Sequence, residues 1–371
     1  MPRGPNPFRP GFGISPRVLA GRDDLLTEFG IALDEGPGSP LRSVLVSGAR
    51  GMGKTVVLNE LEDLAMVRGW LTIRLPETTS LIEQLEQTTL PALLAEHDSS
   101  RAVRRRVTGG AVGGVASMTT TAAERYPVRE SAESLLRRLL DVLAEHQTGV
   151  LLTLDEVQAV DRESLAEFAS VYQHLMRDER EIAFVAAGLP VGIDQLLRHR
   201  GTTFLRRAER IHLPALITAE VREAARRTVE EGGGRIGDDA LDRFSDIVHG
   251  YPYLLQLVGH GAWRAAGRRQ RLTVDDVTST IPAVKERMGR LIHAPAVREL
   301  PQSQRAYLLA MAEDDGPSAT KDLARRLKIN MQHQNVYRSR LIARELVSPA
   351  GHGFVDFALP YFREYLRAEP Q

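Results

Sequence analysis

The stretch Gly48-Ala49-Arg50-Gly51-Met52-Gly53-Lys54-Thr55 constrains this chain more than any other. It follows the apolar run Ser43-Val44-Leu45-Val46 and opens into Val56-Val57-Leu58-Asn59-Glu60-Leu61, which has helical spacing. Strand, glycine-rich loop and helix with the spacing G-x-x-x-x-G-K-[ST] make the pattern of a P-loop. Gly48, Gly51 and Gly53 let backbone N–H groups turn inward onto phosphate oxygens, and the helix start adds partial positive charge. Lys54 is placed to reach the β- and γ-phosphates, and the Thr55 hydroxyl to ligate Mg²⁺. Arg50, Met52 and Val56 complete the expected phosphate-binding stretch. The chain is therefore expected to bind a nucleoside triphosphate with Mg²⁺.

A second motif points to hydrolysis. Gly149-Val150-Leu151-Leu152-Thr153-Leu154-Asp155-Glu156 is an apolar run ending in two acids, as for a buried parallel strand that meets an active site. Asp155 is the expected Mg²⁺ holder, through water, and Glu156 the base that orients and deprotonates the attacking water. Such a base contributes roughly 10²–10⁴ in rate. An acid pair after a strand is common in any α/β protein. About a hundred residues beyond a P-loop, it argues for turnover as well as binding.

Composition excludes several classes. Lys and Arg number 48 and Asp and Glu 48, so a nucleic-acid surface would have to be local. Only four of the basic residues are lysines (Lys54, Lys285, Lys321 and Lys328), which fits a GC-rich bacterial genome and singles out Lys54. Cysteine is absent, which excludes disulfides, thiolate metal sites and cysteine nucleophiles. Residues 1–13 lack the apolar core of a signal peptide, and no run reaches the roughly 18 apolar residues of a membrane span. A cytoplasmic protein with no membrane partner is expected.

Alternation of strands and helices predicts an open, mostly parallel sheet with the nucleotide at its carboxyl edge. Residues 1–16 read as an extended arm. A helix is expected from Val18 to about Leu33, strands at Trp70–Leu75, Ile182–Gly188 and Arg210–Leu213, and helices over 80–97, 131–146 and 164–176. Arg101–Thr121, with Arg104-Arg105-Arg106 and a run of small and β-branched residues, reads as either an inserted hairpin or a loop. After Pro214 the pattern is helical only: Thr218, as N-cap, to Glu231, then 238–248, 252–266 and 273–291. The last residues predict helices over 303–312, 319–327 and 331–345, then a hairpin turning at Gly351-His352-Gly353, the order of a winged helix-turn-helix.

These parts in this order resemble the AAA+/STAND group of P-loop ATPases, most closely Orc1/Cdc6-like bacterial ATPases. The resemblance rests on Leu19-Ala20-Gly21-Arg22-Asp23-Asp24-Leu25 before the P-loop, on the P-loop and Asp-Glu strand, and on the pattern of the C-terminal helices and hairpin. It implies an α/β P-loop NTPase core over 17–213, a helical lid over 214–292 and a winged helix domain over 293–371. It also implies that Gly21 and Arg22 pack near the adenine. An arginine finger is implied before the last core strand, where Phe204-Leu205-Arg206-Arg207-Ala208-Glu209-Arg210 offers Arg207 first, then Arg206 and Arg210. A finger acting on a neighbouring subunit is worth about 10³–10⁵ in rate; a homo-oligomer or a protein partner is expected.

Two departures matter. A polar sensor residue is implied after the fourth strand, but the chain has Gly188-Leu189-Pro190. In the lid, an arginine sensor is replaced by His249-Gly250-Tyr251-Pro252-Tyr253, closer to the glycine-x-proline turn of STAND switches. Pro252 then packs near the base or ribose, or is simply a helix N-terminal proline. Both departures favour slow hydrolysis and a nucleotide-gated switch. The helical lid and the Asp-Glu pair favour water over a small-molecule acceptor.

In the third C-terminal helix, Val336, Leu341 and Ile342 read as inward, and Gln332, Gln334, Asn335, Arg338 and Arg340 as outward. Gln, Asn and Arg are the side chains that read adenine and guanine edges, and His352 in the wing would approach a groove or phosphate. Residues 301–371 carry ten Arg or Lys against eight Asp or Glu, a modest excess of two. Two functions stay open: an ATPase whose winged helix binds duplex DNA as a switch or loader, and a STAND-type switch that controls a protein partner.

Overall fold

The structure, a computed structural model, describes residues 5–11, 13–78, 80–98, 130–269 and 271–368. The Arg101–Thr121 segment lies outside the described residues. Five strands, β1 (Ser43–Ser47), β2 (Leu71–Arg74), β3 (Val150–Leu154), β4 (Ile182–Gly188) and β5 (Glu209–His212), form one parallel sheet in the order β2-β3-β4-β1-β5. Alternate residues point to opposite faces, and the two faces belong to two cores. Val44, Val46, Leu151, Ala183, Val185 and Ala187 face the helices Asp23–Asp34 and Lys54–Val67. Leu45, Val150, Leu152, Leu154, Ile182 and Phe184 face Ala132–Ala144 and Arg162–Arg177. Burial on both faces explains why β1, β3 and β4 read as continuous apolar runs. On the second face the Phe168 and Tyr172 rings stand 5.1 and 5.5 Å from Phe184, and each large apolar side chain removed from water contributes about 1.5–3 kcal/mol.

The register aligns the carboxyl ends. Ser47 pairs with Gly188 on one side and His212 on the other, while Leu154 pairs with Ala186. The P-loop leaving β1 and the acids leaving β3 are therefore separated by β4 alone, about 10 Å at the usual strand spacing.

Local contacts move several expected boundaries. The first helix starts at Asp23, because Gly21 adopts a left-handed backbone (φ +60°) with the Glu220 carboxyl against it. Thr218 is inside its helix (Thr218–Glu231) and is not the cap; the Glu220 carboxylate accepts the Ile217 N–H at 2.8 Å instead. The long helix expected over 273–291 breaks into Val274–Thr278 and Ile281–Met288, followed by a wide turn, Gly289–His293, and Ala294–Arg298. Pro282 supplies no N–H to carry the first piece into the second. The lid also holds a two-residue parallel pair, β6 (Arg235–Ile236) and β7 (Arg271–Leu272), too short to show as periodicity.

The C-terminal region places helices Gln302–Ala312, Thr320–Arg326 and Met331–Ala343 before an antiparallel hairpin of β9 (Val347–Pro349) and β10 (Phe354–Phe357). β8 (Ser318–Ala319) pairs with β10 as a third strand, and a last helix, Phe362–Ala368, follows. This fits a winged helix-turn-helix arrangement. Leu341 is inward as expected, Ile342 is half-buried, and Val336 is exposed, opposite to its expected side.

Candidate functional site

The P-loop takes its shape from two left-handed glycines, Gly51 (φ +83°) and Gly53 (φ +88°). Lys54 opens the helix Lys54–Val67 and is buried, its Nζ donating to the carbonyls of Gly48 (3.0 Å) and Ala49 (3.2 Å). Burial pushes the ammonium below its ordinary pKa, and the nearby carboxylates of Glu156, Asp155 and Glu345 work against that shift. One residue on, Thr55 Oγ1 donates to Asp155 Oδ2 at 2.5 Å. The other Asp155 oxygen accepts the Glu156 N–H at 2.8 Å, and Glu156 itself is left-handed (φ +44°). At the end of β2, burial and the charges of Asp155 and Glu156 raise the pKa of Glu77. Among the described residues no group of three or more His, Asp or Glu could hold a metal by itself. Thr55 and Asp155 fit Mg²⁺ in the way that ion usually binds, through one or two protein oxygens with phosphate and water completing its shell.

In front of the loop lies a cavity of about 380 Å³, within the usual range for a small-molecule pocket. Arg50 through Val57 form one wall, and Glu156 also lines the space. The arm forms a second wall with Arg9, Gly13, Ile14 and Pro16, then Val18 to Ala20 and Arg22; the lid adds Pro252, Tyr253, Gln256 and Ile292. Of the expected nucleotide-site residues, Arg50, Gly51, Met52, Gly53, Lys54, Thr55, Val56, Arg22 and Pro252 line the cavity. Gly48, Gly21 and Asp155 are not among its lining residues.

The arm is an anchored strap. Phe8 is buried in the lid, 6.3 Å from the Phe244 ring, and a Cβ on Gly259 would stand 2.2 Å from Phe8. Asn6 donates to the His260 carbonyl at 3.0 Å, and Asn59 in the core donates to the Gly13 carbonyl at 3.0 Å. Arg22, also buried, donates to the Pro214 carbonyl at 2.8 Å and ties the arm's end to the entry of the lid. Burial lowers its pKa, and the Glu220 charge opposes the shift.

The sequence pattern gives Tyr251 no role beyond its place in the lid turn. The lid turn from His249 (φ +51°) and Gly250 (φ +70°) drives it onto the P-loop, where its hydroxyl donates to the Arg50 carbonyl and its ring stands against Gly51. The Tyr253 N–H reaches the Gly51 carbonyl at 3.2 Å. The signal was the pair of tyrosines flanking Pro252; an aromatic anchor and a core aromatic look alike in one dimension.

None of Arg206, Arg207 and Arg210 lines the cavity. All three are exposed on the segment Arg200–Arg207 and the edge strand β5; Arg206 donates to the Leu197 carbonyl at 2.9 Å. The C-terminal region touches the site's other flank. Glu345, left-handed and half-buried, lies 3.7 Å from His212, and Glu299 pairs with Arg50 at 2.9 Å. Burial raises the Glu345 pKa against the pull of His212 and Lys54. Of the residues expected to face DNA, Asn335, Arg340 and His352 are exposed and Arg338 is half-buried. Gln334 is corrected: it is fully buried, donating to the Tyr307 hydroxyl at 2.8 Å, so it has no face for a base edge.

Residues 18–185 match the family model of the AAA ATPase domain, and residues 290–366 match a domain of unknown function, DUF8462. No curated protein matches the chain by sequence. Among solved structures, the Aeropyrum pernix ORC2 protein in its ADPNP-ADP complexes is similar at a TM-score of 0.65 and 16% identity, over 96% of each chain. The Walker-type ATPase PABY2304 of Pyrococcus abyssi is similar at 0.66 and 16%, over 94% of this chain and 96% of its own. The ADP form of ORC2 gives 0.53 and 17%, over 97% of each. At such identities the likeness is one of fold. Among the described residues no helix is long and apolar enough to cross a membrane. Residues 18–185 thus match the AAA ATPase domain, and along nearly its whole length the chain shares its fold with the Aeropyrum pernix ORC2 protein and the Walker-type ATPase PABY2304.

Proposed function

We propose that this protein binds ATP with Mg²⁺ in the cavity between strap, P-loop and lid, hydrolyses it slowly, and uses the nucleotide state to control duplex-DNA binding by its C-terminal domain. The observation that carries the ATPase reading is the contact of Thr55 with Asp155 at 2.5 Å, with Glu156 next in sequence on the cavity lining. In this reading the P-loop N–H groups and Lys54 hold the phosphates, Thr55 and Asp155 hold Mg²⁺ beside them, and Glu156 takes the proton from the attacking water. Gly21, Arg22 and Pro252 serve the nucleoside end. Arg207, with Arg206 and Arg210 as neighbours, serves a second copy of the chain.

The DNA part rests on the exposed polar face of Met331–Ala343, where Asn335 and Arg340 have the chemistry for base edges, with half-buried Arg338 on the same helix and exposed His352 in the hairpin turn. A second reading is favoured by the contacts of Glu345 and Glu299 with the nucleotide core. There the C-terminal domain is regulatory, and nucleotide exchange frees a surface for a protein partner. Fluorescence anisotropy on duplex DNA with ATP, ADP and no nucleotide, at two salt concentrations, decides between them. Nucleotide-dependent, salt-sensitive binding that is lost in Arg338→Ala/Arg340→Ala supports the DNA switch. Absence of binding in every state, with ATP-dependent self-association, supports the partner switch.

A further inference from the structure

After β4 the sequence Gly188-Leu189-Pro190 offers no polar side chain where the resemblance implies one, yet that space holds a carboxamide. Gln158 sits two residues beyond Glu156 in the short turn Val157–Ala159 and folds back over the end of β4. Its Oε1 accepts the Leu189 N–H at 3.2 Å, and its Nε2 donates to Glu156 Oε2. Chemistry dictates this orientation of the amide, because a backbone N–H only donates and an ionised carboxylate only accepts. Two glycines keep the space clear. A Cβ on Gly188 would stand 2.8 Å from Gln158 Oε1, and one on Gly192 would stand 2.8 Å from the same atom.

We infer that Gln158 is the positioning residue for Glu156 and supplies, from the β3 side, the polar group missing after β4. The inference rests on the reading of Glu156 as the base that activates water. A glutamate has three side-chain torsions, and a half-buried carboxylate can turn toward solvent when nothing holds it. Gln158 engages one of its oxygens and leaves the other to accept a proton. The anchor matters equally. Leu189 directly follows β4, which is bonded to both β3 and the P-loop strand β1, so the base is referenced to the rigid sheet edge that carries the phosphate site.

The test compares wild type, Glu156→Gln, Gln158→Ala and Gln158→Glu by ATP affinity, kcat, KM and the pH profile of kcat. Misplacing a reacting group by about an ångström can cost about 10²-fold, so Gln158→Ala should lower kcat by about 10–10²-fold with ATP KM within about twofold. Gln158→Glu keeps the length and can still accept the Leu189 N–H, but it sets a second carboxylate against Glu156. Two acids sharing one site raise one of their pKa values, so the acidic limb of the profile should move to higher pH by about one unit or more. A purely structural role would not move that limb. Unchanged kcat in Gln158→Ala, or an unshifted limb in Gln158→Glu, overturns the inference while leaving Glu156 as base. Wild-type turnover that survives in Glu156→Gln overturns the base itself, and with it the role of Gln158.

Discussion

Gly51→Ala tests the contact between lid and P-loop at one backbone position. Gly51 has φ +83°, where a residue with a Cβ costs about 1–2 kcal/mol. That Cβ would also lie 2.6 Å from the Tyr251 hydroxyl oxygen and 2.7 Å from the ring carbon beside it. Tyr251 is only 3% exposed, so the ring cannot swing aside without moving the lid turn. Moving it breaks the hydroxyl's bond to the Arg50 carbonyl, about 0.5–1.5 kcal/mol. With the steric part added, Gly51→Ala should lower unfolding free energy in urea by roughly 2–4 kcal/mol. In a Tyr251→Ala background the steric and hydrogen-bond parts vanish and only the backbone part, about 1–2 kcal/mol, should remain. The double-mutant cycle therefore predicts a coupling of about 1–2 kcal/mol. Equal costs of Gly51→Ala in both backgrounds would refute the seating of Tyr251 on the loop.

Other outcomes follow from the same geometry. Lys54→Ala should abolish nucleotide binding or turnover in calorimetry and phosphate-release assays, since it removes the one lysine at the loop. Glu156→Gln should keep ATP bound and reduce turnover by roughly 10²–10⁴, measured as single-turnover phosphate release. Arg207→Ala should impair turnover only at concentrations where the protein self-associates; equal loss in a dilute monomer would argue against a finger acting between subunits. His293, fully buried against the rings of Phe362 and Tyr365 at 5.0 and 5.2 Å, has its pKa pushed down to about 4 by burial. In the unfolded chain it binds a proton near pH 6.5, so the unfolded state holds more protons between those values and stability falls as pH drops from about 6.5 toward 4. The loss approaches about 3 kcal/mol, at about 1.4 kcal/mol per pH unit; His293→Leu should flatten urea stability across this window.

The parts legible in the sequence were those set by local pattern. The P-loop and the β3 acids could be read because strand, turn and helix there follow from residues adjacent in the chain. Leu341 could be read from helical spacing, but Val336 and Gln334 exchanged roles. Gln334 is buried with its Nε2 donating to the hydroxyl of Tyr307, on another helix, which offsets part of the cost of burying the amide while its Oε1 stays unpaired. The first helix starts late because Glu220, far along the chain, occupies the space beside Gly21. Neither partner is visible from the neighbouring residues.

The sequence by itself determined the chemistry on offer: glycines and a lysine at P-loop spacing, a hydroxyl next to the lysine, and two acids at the end of an apolar strand. Those depend on residue type and short-range spacing. The tertiary structure alone decided what surrounds them. It laid residues 9–11, 13, 14 and 16 along the cavity as a strap, set Tyr251 on Gly51, brought Glu345 to the P-loop's flank, and filled the gap after β4 with Gln158. Such contacts join segments up to some 250 residues apart, and they are selected by burial and by the pairing of polar groups rather than by local propensity. A pattern read along the chain carries the first kind of information and none of the second.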